Sequence, residues 1–295
     1  MMHVAPTTES DETTPQTLRV GIQGYEGAFH EIAARLCFKD INVKIVPAHT
    51  FDDLVGLVEA NEFTDVGLMA IENTLAGSLM SNYNLLKASN LKIVGETFLR
   101  IKQNLLVWPG QKIEDLKEVH SHPIAIAQCR AYFRQYPHIR LVETVDTALS
   151  ARRVREENLL HVGAVASTLA AELYELDILA AGIETNKKNH TRFLVLQKEE
   201  AVRSLENTNK VSLCFSTGHE PGSLYKVLAV LAAYNVNLTK IQSAPIIGKP
   251  WEYMFFVDFV AEGELSIAQA IEAIRPLTHE LDLMGVYQQG EHHEY

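Results

Sequence analysis

Apolar residues along this chain fall into short runs separated by polar turns, and between these runs they recur at helical spacing. Two short strands are predicted at Leu18–Gln23 and Val43–Pro47. A continuous apolar run at Val66–Ile71 is typical of a strand that is covered on both faces. Helical periodicity follows these strands at 28–38, 52–60 and 79–87. Strands that alternate with helices in this way predict parallel strands with crossover helices.

A second block of the same kind follows a long strand-like stretch, Leu91–Trp108. Its helices and strands are predicted at 126–134, 139–145, 148–156, 161–166 and 169–176. The chain then passes through the apolar segment Ile178–Ile183 to a strand at Phe193–Leu196. We therefore predict two α/β lobes joined by two crossings, lobe 1 at about 18–97 and 178–198 and lobe 2 at about 98–177. Small ligands favour the cleft between such lobes.

A polar linker at 199–208 separates this domain, 18–198, from a further unit at 209–289. The unit is predicted to run strand, helix, strand, strand, helix, strand, at 210–216, 221–234, 237–247, 252–260, 266–277 and 281–288. This βαββαβ order is that of a ferredoxin-like fold. The sequence His219-Glu-Pro-Gly222 predicts that its first helix begins with proline in the first turn.

Composition and charge narrow the function more than the fold. The 295 residues, of which 47% are apolar, suffice for about two domains with a sizeable core. A net charge of −11 argues against binding to nucleic acid or to an acidic membrane. Residues 1–17 are predicted to be a disordered tail without the features of a signal peptide, and no apolar run is long enough for a transmembrane helix. We expect a cytoplasmic protein with three free, buried cysteines, Cys37, Cys129 and Cys214.

Polar groups gather where predicted strands give way to helices. The turn Gly24–Gly27 precedes a helix, the segment Glu72–Ser78 follows the buried strand, and His122-Pro123 opens a later helix. A fourth cluster, Asn189-His-Thr-Arg-Phe193, leads into a strand. Helix N-termini bind carboxylates through free N–H groups and the helix dipole. Each junction alone is more often an ordinary cap or turn, but four that converge on one cleft predict a site for a small acid.

Other chemistries have weaker support in the sequence. There is no Gly-x-x-x-x-Gly-Lys-Ser/Thr motif of a nucleotide-binding loop and no Gly-x-Ser-x-Gly motif of a serine hydrolase. His120 and His122 have no cysteine or carboxylate cluster near them, so no metal site is predicted. His292-His293 lies in a polar tail and is expected to be inert.

Four motifs resemble those of the prephenate dehydratase family, and the unit at 209–289 resembles an ACT regulatory domain. They are Gly24-Tyr-Glu-Gly-Ala-Phe-His30, Ile71-Glu-Asn-Thr74 with Gly77, His122-Pro123 with Gln128-Cys129, and Asn189-His-Thr-Arg-Phe193. The last is the family's Asn-x-Thr-Arg-Phe and is the most specific. The resemblance implies an α/β fold in which a two-lobed catalytic domain, similar to a type II periplasmic binding protein, precedes a ferredoxin-like βαββαβ ACT domain.

The resemblance also implies a lyase without cofactor or metal, which converts prephenate to phenylpyruvate in phenylalanine biosynthesis. Thr191 is expected to protonate or hydrogen-bond the departing hydroxyl, and Arg192 to bind a carboxylate through its forked guanidinium. Glu72 is expected to position its neighbours, or to act as an acid if its pKa is raised. A histidine common in the family is Gln103 here, to which no role is assigned. The expected substrate-binding residues are Gly24, Gly27, Asn73, Thr74, Gly77, Ser78, Gln128, Asn189 and Phe193.

In the ACT-like unit, Gly222-Ser-Leu224 resembles the family's effector-pocket Gly-Ala-Leu. The segment Asn237–Pro245 resembles the dehydratase Asn-Leu-Thr-Lys-Ile-Glu-Ser-Arg-Pro, with Gln242 and Ala244 in place of Glu and Arg. The family implies feedback inhibition by phenylalanine bound between ACT domains, and hence a homodimer or homotetramer. The expected effector-binding residues are Gly222, Ser223, Leu224, Asn237, Gln242 and Ser243. Three alternatives stay open: an ACT domain used chiefly for assembly, arogenate as the substrate, and a non-enzymatic sensor of a small acid or amino acid.

Overall fold

A computed structural model describes residues 17–202, 208–261 and 267–295, which form three β-sheets with helices packed against them. Its helices are α1 (Phe29–Cys37), α2 (Phe51–Ala60), α3 (Met80–Ala88), α4 (Pro123–Phe133), α5 (Thr147–Glu156), α6 (Thr168–Leu173), α7 (Ser223–Ala233) and α8 (Ile267–Ile274). Its strands are β1 (Thr17–Gln23), β2 (Asn42–Ala48), β3 (Val66–Asn73), β4 (Gly77–Ser78), β5 (Leu91–Arg100), β6 (Asn104–Val107), β7 (Glu118–Ser121), β8 (Arg140–Glu143), β9 (Val162–Ala166), β10 (Asp177–Ala180), β11 (His190–Lys198), β12 (Lys210–Ser216), β13 (Val236–Pro245), β14 (Tyr253–Ala261), β15 (Leu281–Tyr287) and β16 (His292–His293). The predicted tail lies outside the described residues except for Thr17, as do residues 203–207 of the predicted linker.

The first sheet has the order β16-β5-β11-β3-β1-β2, with β4 paired to β3. Strand β1 is parallel to β2 and β3, as expected for strands joined by crossover helices, but β11 enters antiparallel between β3 and β5. On the β3–β11 ladder Thr191 lies opposite Asn73, a pair that we call the first rung. Arg192 lies opposite Glu72, which we call the second rung. Phe193 then lies opposite Ala70, so β3 has a bulge at this point.

The second sheet has the order β10-β6-β9-β7-β8. The predicted continuous stretch Leu91–Trp108 is in fact two strands, β5 in the first sheet and β6 in the second. Residues 101–103 carry the chain across, and residues 181–189 bring it back from β10 to β11. Two crossings therefore join the two sheets, and β10, which the prediction assigned to lobe 1, pairs with β6 in the second sheet.

The third sheet has the order β13-β14-β12-β15 and is antiparallel throughout. With α7 and α8 it confirms the predicted βαββαβ domain. Helix α7 begins at Ser223, and Gly222 is its N-cap at φ 81°. The prediction that proline lies in the first turn is therefore wrong, because Pro221 precedes the cap.

The segment after β15 adds an edge strand to the first sheet. His292 and His293 pair in parallel with β5, and the His292 ring stacks on Phe98 with centroids 4.3 Å apart. A Cβ atom added at Gly290 would lie 2.0 Å from the carbonyl oxygen of Glu96, so glycine is required for this close approach. The two histidines expected in an inert tail are therefore part of the sheet.

Strand β11 is shared between two hydrophobic cores. Phe193 and Val195 pack in the core that contains α1, whereas Leu194 and Leu196 pack with Phe256 and other residues of the βαββαβ domain. Successive side chains of a strand point to opposite faces. One face of β11 therefore belongs to the first lobe and the other to the interface between domains.

Within the described ranges, no helix is long and apolar enough to span a membrane. No group of three or more His, Cys, Asp or Glu side chains in this part of the chain is arranged to hold a metal ion. The three cysteines are free; Cys129 and Cys214 are buried, and Cys37 is half-buried.

Candidate active site

The first rung carries a chain of hydrogen bonds whose direction is fixed by the backbone. Asn73 Oδ1 accepts the N–H groups of Leu75 and Ala76, both at 3.0 Å. Because backbone N–H groups can only donate, the Asn73 amide must turn its Nδ2 atom the other way. That nitrogen donates to Asn189 Oδ1 at 2.7 Å and to Thr191 Oγ1 at 2.9 Å.

Two donors remain at the end of this array. The Thr191 oxygen already accepts from Asn73, so its O–H is available to donate elsewhere. Asn189 Nδ2 is buried and has no hydrogen-bond partner among the described residues. Thr191 itself is 8% exposed. The array can offer a hydroxyl and an amide donor to an oxygen atom of a bound molecule.

Thr74 holds the start of β11 in place. Its N–H donates to the carbonyl of His190 at 2.9 Å, and its hydroxyl accepts the N–H of His190 at 3.0 Å. The same hydroxyl donates to the carbonyl of Lys188 at 3.1 Å. Thr74 thus fixes the backbone on both sides of Asn189, and Gly77, at φ 79°, turns the chain back along β3. Both were expected to bind substrate, and here they shape the site.

The two glycine N–H groups of the turn before α1 are not free donors. The N–H of Gly24 donates to the carbonyl of Ala48 at 2.9 Å, and the N–H of Gly27 donates to Glu31 Oε2 at 2.7 Å. Both groups expected to bind a substrate carboxylate are therefore occupied. Gly27 instead permits contact between the lobes, since a Cβ atom there would lie 3.0 Å from Ala170 Cα. The Ser167 hydroxyl closes this contact by donating to the carbonyl of Gly27 at 2.6 Å.

Two helices of the second lobe begin at polar N-caps. Pro123 is the first residue of α4 and His122 is its N-cap, as predicted. Asp146, to which sequence reasoning gave no role, caps α5 through Leu149 at 2.8 Å. Its Oδ2 atom would lie 3.2 Å from a Cβ atom on Gly24, and burial raises the pKa of this carboxyl. An Asp just before a helical run is the usual N-cap signal, and it marked this position in the sequence.

Gln128 lies against the first crossing rather than on the first rung. Its side-chain oxygen accepts from Gln103 Nε2 at 3.3 Å, and the N–H of Gln103 donates to Glu184 Oε2 at 2.9 Å. Gln103 Oε1 is buried and has no hydrogen-bond partner within the described residues. Gln103 and Glu184 are thus further polar groups, on the two crossings, that sequence reasoning did not assign.

Arg192 does not join Thr191 in the site. Its Nε atom donates to Glu96 at 2.7 Å. One terminal nitrogen donates to Asp258, and the other to the Tyr287 hydroxyl at 3.0 Å. Arg192 is 6% exposed, so its guanidinium is bound by carboxylates of the chain itself and not free to bind a substrate carboxylate. The expectation of a Thr191–Arg192 pair fails because adjacent residues of a strand point to opposite faces.

Glu72 and Ser78 also face the βαββαβ domain. Lys240 on β13 donates to Glu72 Oε2 at 2.9 Å and to Ser78 Oγ at 2.7 Å. The Ser78 hydroxyl also lies 3.4 Å from Gln242 Oε1. Glu72 therefore forms an ion pair with Lys240 at the domain interface, which differs from its expected place beside the substrate. Sequence reasoning missed this partner although Lys240 was part of a quoted motif.

His30, part of the first motif, packs edge-on against Phe193 with ring centroids 5.0 Å apart. Its Nε2 atom is buried and lacks a hydrogen-bond partner among the described residues. Burial lowers the pKa of His30 from its ordinary value of 6.5 to about 4. Phe193 is itself 1% exposed, so it packs below the cleft wall instead of touching a ligand.

The residues expected to bind an effector do not form one group. Gly222, Ser223 and Leu224 line a cavity of about 530 Å³ together with Trp251 and Phe255. Gln242 faces Ser78, while Asn237 and Ser243 are exposed on β13 at the edge of the third sheet. In one copy of the chain only the first three therefore share a pocket.

Both domains match known family models. Residues 20–201 match the family model described as prephenate dehydratase, and residues 216–277 match that of the ACT domain. Over 281 residues the chain is 39% identical to arogenate dehydratase/prephenate dehydratase 2, chloroplastic, from Arabidopsis thaliana, covering 92% of this chain and 72% of that protein. Over 274 residues it is 33% identical to the bifunctional chorismate mutase/prephenate dehydratase of Enterobacter agglomerans, covering 91% and 70%.

Two solved structures extend this result. GqqA, described as a novel type of quorum quenching acylase, superposes with a TM-score of 0.82 at 32% identity, covering 92% of this chain and 98% of that one. The prephenate dehydratase from Arthrobacter aurescens in complex with L-Phe superposes with a TM-score of 0.80 at 25% identity, covering 92% and 90%.

Proposed function

We propose that this chain, which belongs to the prephenate dehydratase family, converts prephenate to phenylpyruvate. In this reaction the bond between the ring and its carboxylate breaks, and carbon dioxide leaves. The electron pair enters the ring and expels the hydroxyl group on the opposite side, which departs as water after gaining one proton. The ring becomes aromatic, which supplies the driving force. The enzyme has to seat a dianion and to assist the departing oxygen.

The hydrogen-bond array of the first rung carries this proposal. Asn73 occupies the acceptor side of Thr191, so the Thr191 O–H can donate to the departing hydroxyl. Asn189 Nδ2 supplies a second donor in the same array. Threonine is a weak acid, so its contribution is a hydrogen bond that stabilises charge on the leaving oxygen rather than full proton transfer.

A direct assay tests the reaction. The protein is mixed with prephenate, and formation of phenylpyruvate is followed by the absorbance of its enolate. We expect steady product formation without added metal or cofactor. Folded protein that binds prephenate without any product would instead support a non-enzymatic sensor.

Arogenate is the alternative substrate, because the names of the Arabidopsis and petunia relatives include arogenate dehydratase. Its side chain carries an amine where prephenate has a ketone, and its product is phenylalanine. A competition with both substrates at equal concentration, with both products quantified, decides between them. We expect phenylpyruvate to predominate; an excess of phenylalanine would assign the chain to arogenate.

The GqqA likeness raises acylase activity as a second candidate. Amide hydrolysis needs an activated nucleophile beside a base. In the described site, Thr191 pairs with the amide of Asn73, which is not a base. We therefore expect no hydrolysis of an acyl amide under conditions in which prephenate turns over, and the reverse result would favour the acylase.

Phenylalanine is the effector that we propose for the ACT domain. Gly222 caps α7 beside the aromatic residues Trp251 and Phe255, an arrangement that suits an amino acid with a carboxylate and an aromatic ring. The exposed side chains of Tyr225 and Trp251 beside this cavity support association of two ACT domains in a homodimer or a homotetramer. Added phenylalanine should lower activity and raise the melting temperature, and light scattering should give a mass above that of one chain.

A cytoplasmic location remains a prediction for this chain. The Arabidopsis relative is named as chloroplastic, which describes that protein. Microscopy of the tagged full-length protein in its host would decide the compartment.

A further inference from the structure

The two rungs of the β3–β11 ladder are consecutive but face different parts of the molecule. In the first rung, Thr191 and Asn73 are joined by a hydrogen bond of 2.9 Å. In the second rung, Arg192 and Glu72 each bind side chains of the ACT domain. One peptide unit separates the two rungs on each strand, so displacement of one rung moves the other.

The bulge on β3 lets both residues of the second rung face the same domain. Arg192 lies opposite Glu72 but Phe193 lies opposite Ala70, so Ile71 is the additional residue. Ile71 packs in the core shared with Phe256, on the same side as the contact between Glu72 and Lys240. Bulges of this type re-aim side chains next to functional sites.

The ACT domain holds the second rung through buried charges. Arg192 and Asp258 have side chains 6% and 4% exposed. Tyr287 is fully buried, and its hydroxyl also lies 2.7 Å from Ser212 Oγ. Lys210 adds a second cation, which binds Glu96 at 2.7 Å and 2.9 Å. A buried, fully paired network of this kind has little freedom to rearrange, so it transmits movements of the ACT domain to β11.

We infer that Tyr287, Asp258 and Lys240 of the ACT domain are positioning residues for Thr191 and Asn73, acting through the Arg192–Glu72 rung. This inference rests on the proposed dehydration at Thr191. It assigns Arg192 and Glu72 to the connection between the regulatory domain and the site, in place of direct contact with substrate.

Two conservative changes test the connection. Tyr287→Phe removes one partner of Arg192 without changing the ring, and Lys240→Gln removes the ion pair with Glu72. Each change has a matched control. Tyr83→Phe removes a buried phenol hydroxyl that has no hydrogen-bond partner among the described residues, and Lys87→Gln removes an ion pair between domains that does not touch the second rung.

The first readout is independent of activity. The Thr191 methyl resonance, in protein labelled at threonine methyl groups, should shift in Tyr287→Phe and Lys240→Gln and stay in place in both controls. Its assignment comes from the peak that Thr191→Val removes. Unchanged Thr191 resonances in both test variants would overturn the inference, whether or not the protein turns over prephenate.

The second readout separates positioning from substrate binding. Both test variants should lower kcat by about threefold or more, as expected for coupled contacts, with KM little changed. Lys240→Arg, which retains the charge, should restore kcat. A kcat equal to that of the controls, or a loss that Lys240→Arg does not restore, would contradict the inference. Absence of turnover in the wild-type protein would instead refute the proposed function and leave the resonance test decisive.

Discussion

Thr191 and Arg192 are neighbours in one strand, yet their surroundings are opposite. Thr191 accepts a hydrogen bond from the Asn73 amide, which also donates to Asn189, and the array ends in donors that are not used within the described chain. Arg192 is joined to two carboxylates and a phenol, which occupy all three of its nitrogen atoms.

The difference shows which groups in a buried site can still bind a ligand. A neutral amide or hydroxyl can be buried at modest cost and keep a donor for a substrate, whereas a buried guanidinium requires compensating charges. With Glu96 and Asp258 supplying those charges, the Arg192 guanidinium is held at the domain interface. The presence of a cation in a family motif therefore does not by itself identify a substrate ligand, because carboxylates of the chain can bind that cation.

The largest effect should come from the first rung. Thr191→Val keeps the shape of the side chain and removes its hydroxyl, so the departing oxygen loses its hydrogen-bond donor. We expect kcat to fall by about 10²–10³-fold, the range for loss of one hydrogen-bond donor to a developing charge, with an unchanged circular dichroism spectrum. Thr278→Val, at a half-buried threonine of the ACT domain, is the control and should retain full activity. Activity of Thr191→Val within a few-fold of wild type would exclude this role.

Much of the fold was accessible from the sequence because apolar periodicity reflects burial directly. The βαββαβ order and the alternating elements of the lobes followed from spacing alone, and most predicted bounds lie within a few residues of the observed strands and helices. Leu91–Trp108 was expected to carry the chain between the lobes, but its break into two strands was missed, since buried residues continue on both sides of the break. Pattern shows that a segment is buried, but not in which sheet.

The site was harder to predict from the sequence than the fold, because residues adjacent in a motif were expected to lie together in the site. The period of two along β11 already predicts that Thr191 and Arg192 diverge. Two further signals were present in the sequence: Glu96 and Asp258 are charges within apolar strands, where burial requires an opposite charge. The bulge that aims Glu72 at Lys240 has no comparable signal in the sequence.

Removal of the guanidinium should have the next largest effect, on stability. Arg192→Met leaves Glu96 and Asp258 buried with Lys210 as the remaining cation. Breaking a buried ion pair costs about 3–5 kcal/mol, so we expect a loss of that order in the free energy of unfolding measured with guanidinium chloride. Arg275→Met removes an exposed ion pair with Glu272 and should leave the denaturation midpoint unchanged. Equal midpoints for both variants would mean that the second rung is not stabilised by its charges.

His30 packs against Phe193, which lies on the same face of β11 as Thr191. The titration of His30 therefore tests whether the surroundings of this face disfavour charge. Its pKa is about 4 in the folded protein, where burial disfavours the charged form, and 6.5 is its ordinary value. Because the folded state binds the proton less readily, stability should fall as the pH drops from about 6.5 to about 4 and level off below that. The loss from this residue alone amounts to about 3 kcal/mol.

His30→Leu removes this contribution. The unfolding free energies of the wild type and the variant are measured across that pH range. As the pH falls, the wild type should lose stability relative to the variant. His138→Leu, at an exposed histidine, is the control for loss of an imidazole ring. Parallel curves for wild type and His30→Leu would show that His30 does not titrate abnormally.

The smallest expected effect is a difference in stability between variants of two buried tyrosines, whose hydroxyl groups differ in their hydrogen-bond partners. Tyr287 shares its hydroxyl with Arg192 and Ser212, whereas the Tyr83 hydroxyl has no partner within the described residues. Tyr287→Phe should lower the free energy of unfolding by about 1–3 kcal/mol, because it leaves buried polar groups without a partner. Tyr83→Phe should be neutral or slightly stabilising, since it removes a buried polar atom that gains nothing from the fold. Denaturation of both variants in parallel checks this order. Equal losses would mean that the hydroxyl of Tyr287 contributes no more than an unpaired one, and that the ACT domain holds Arg192 through Asp258 alone.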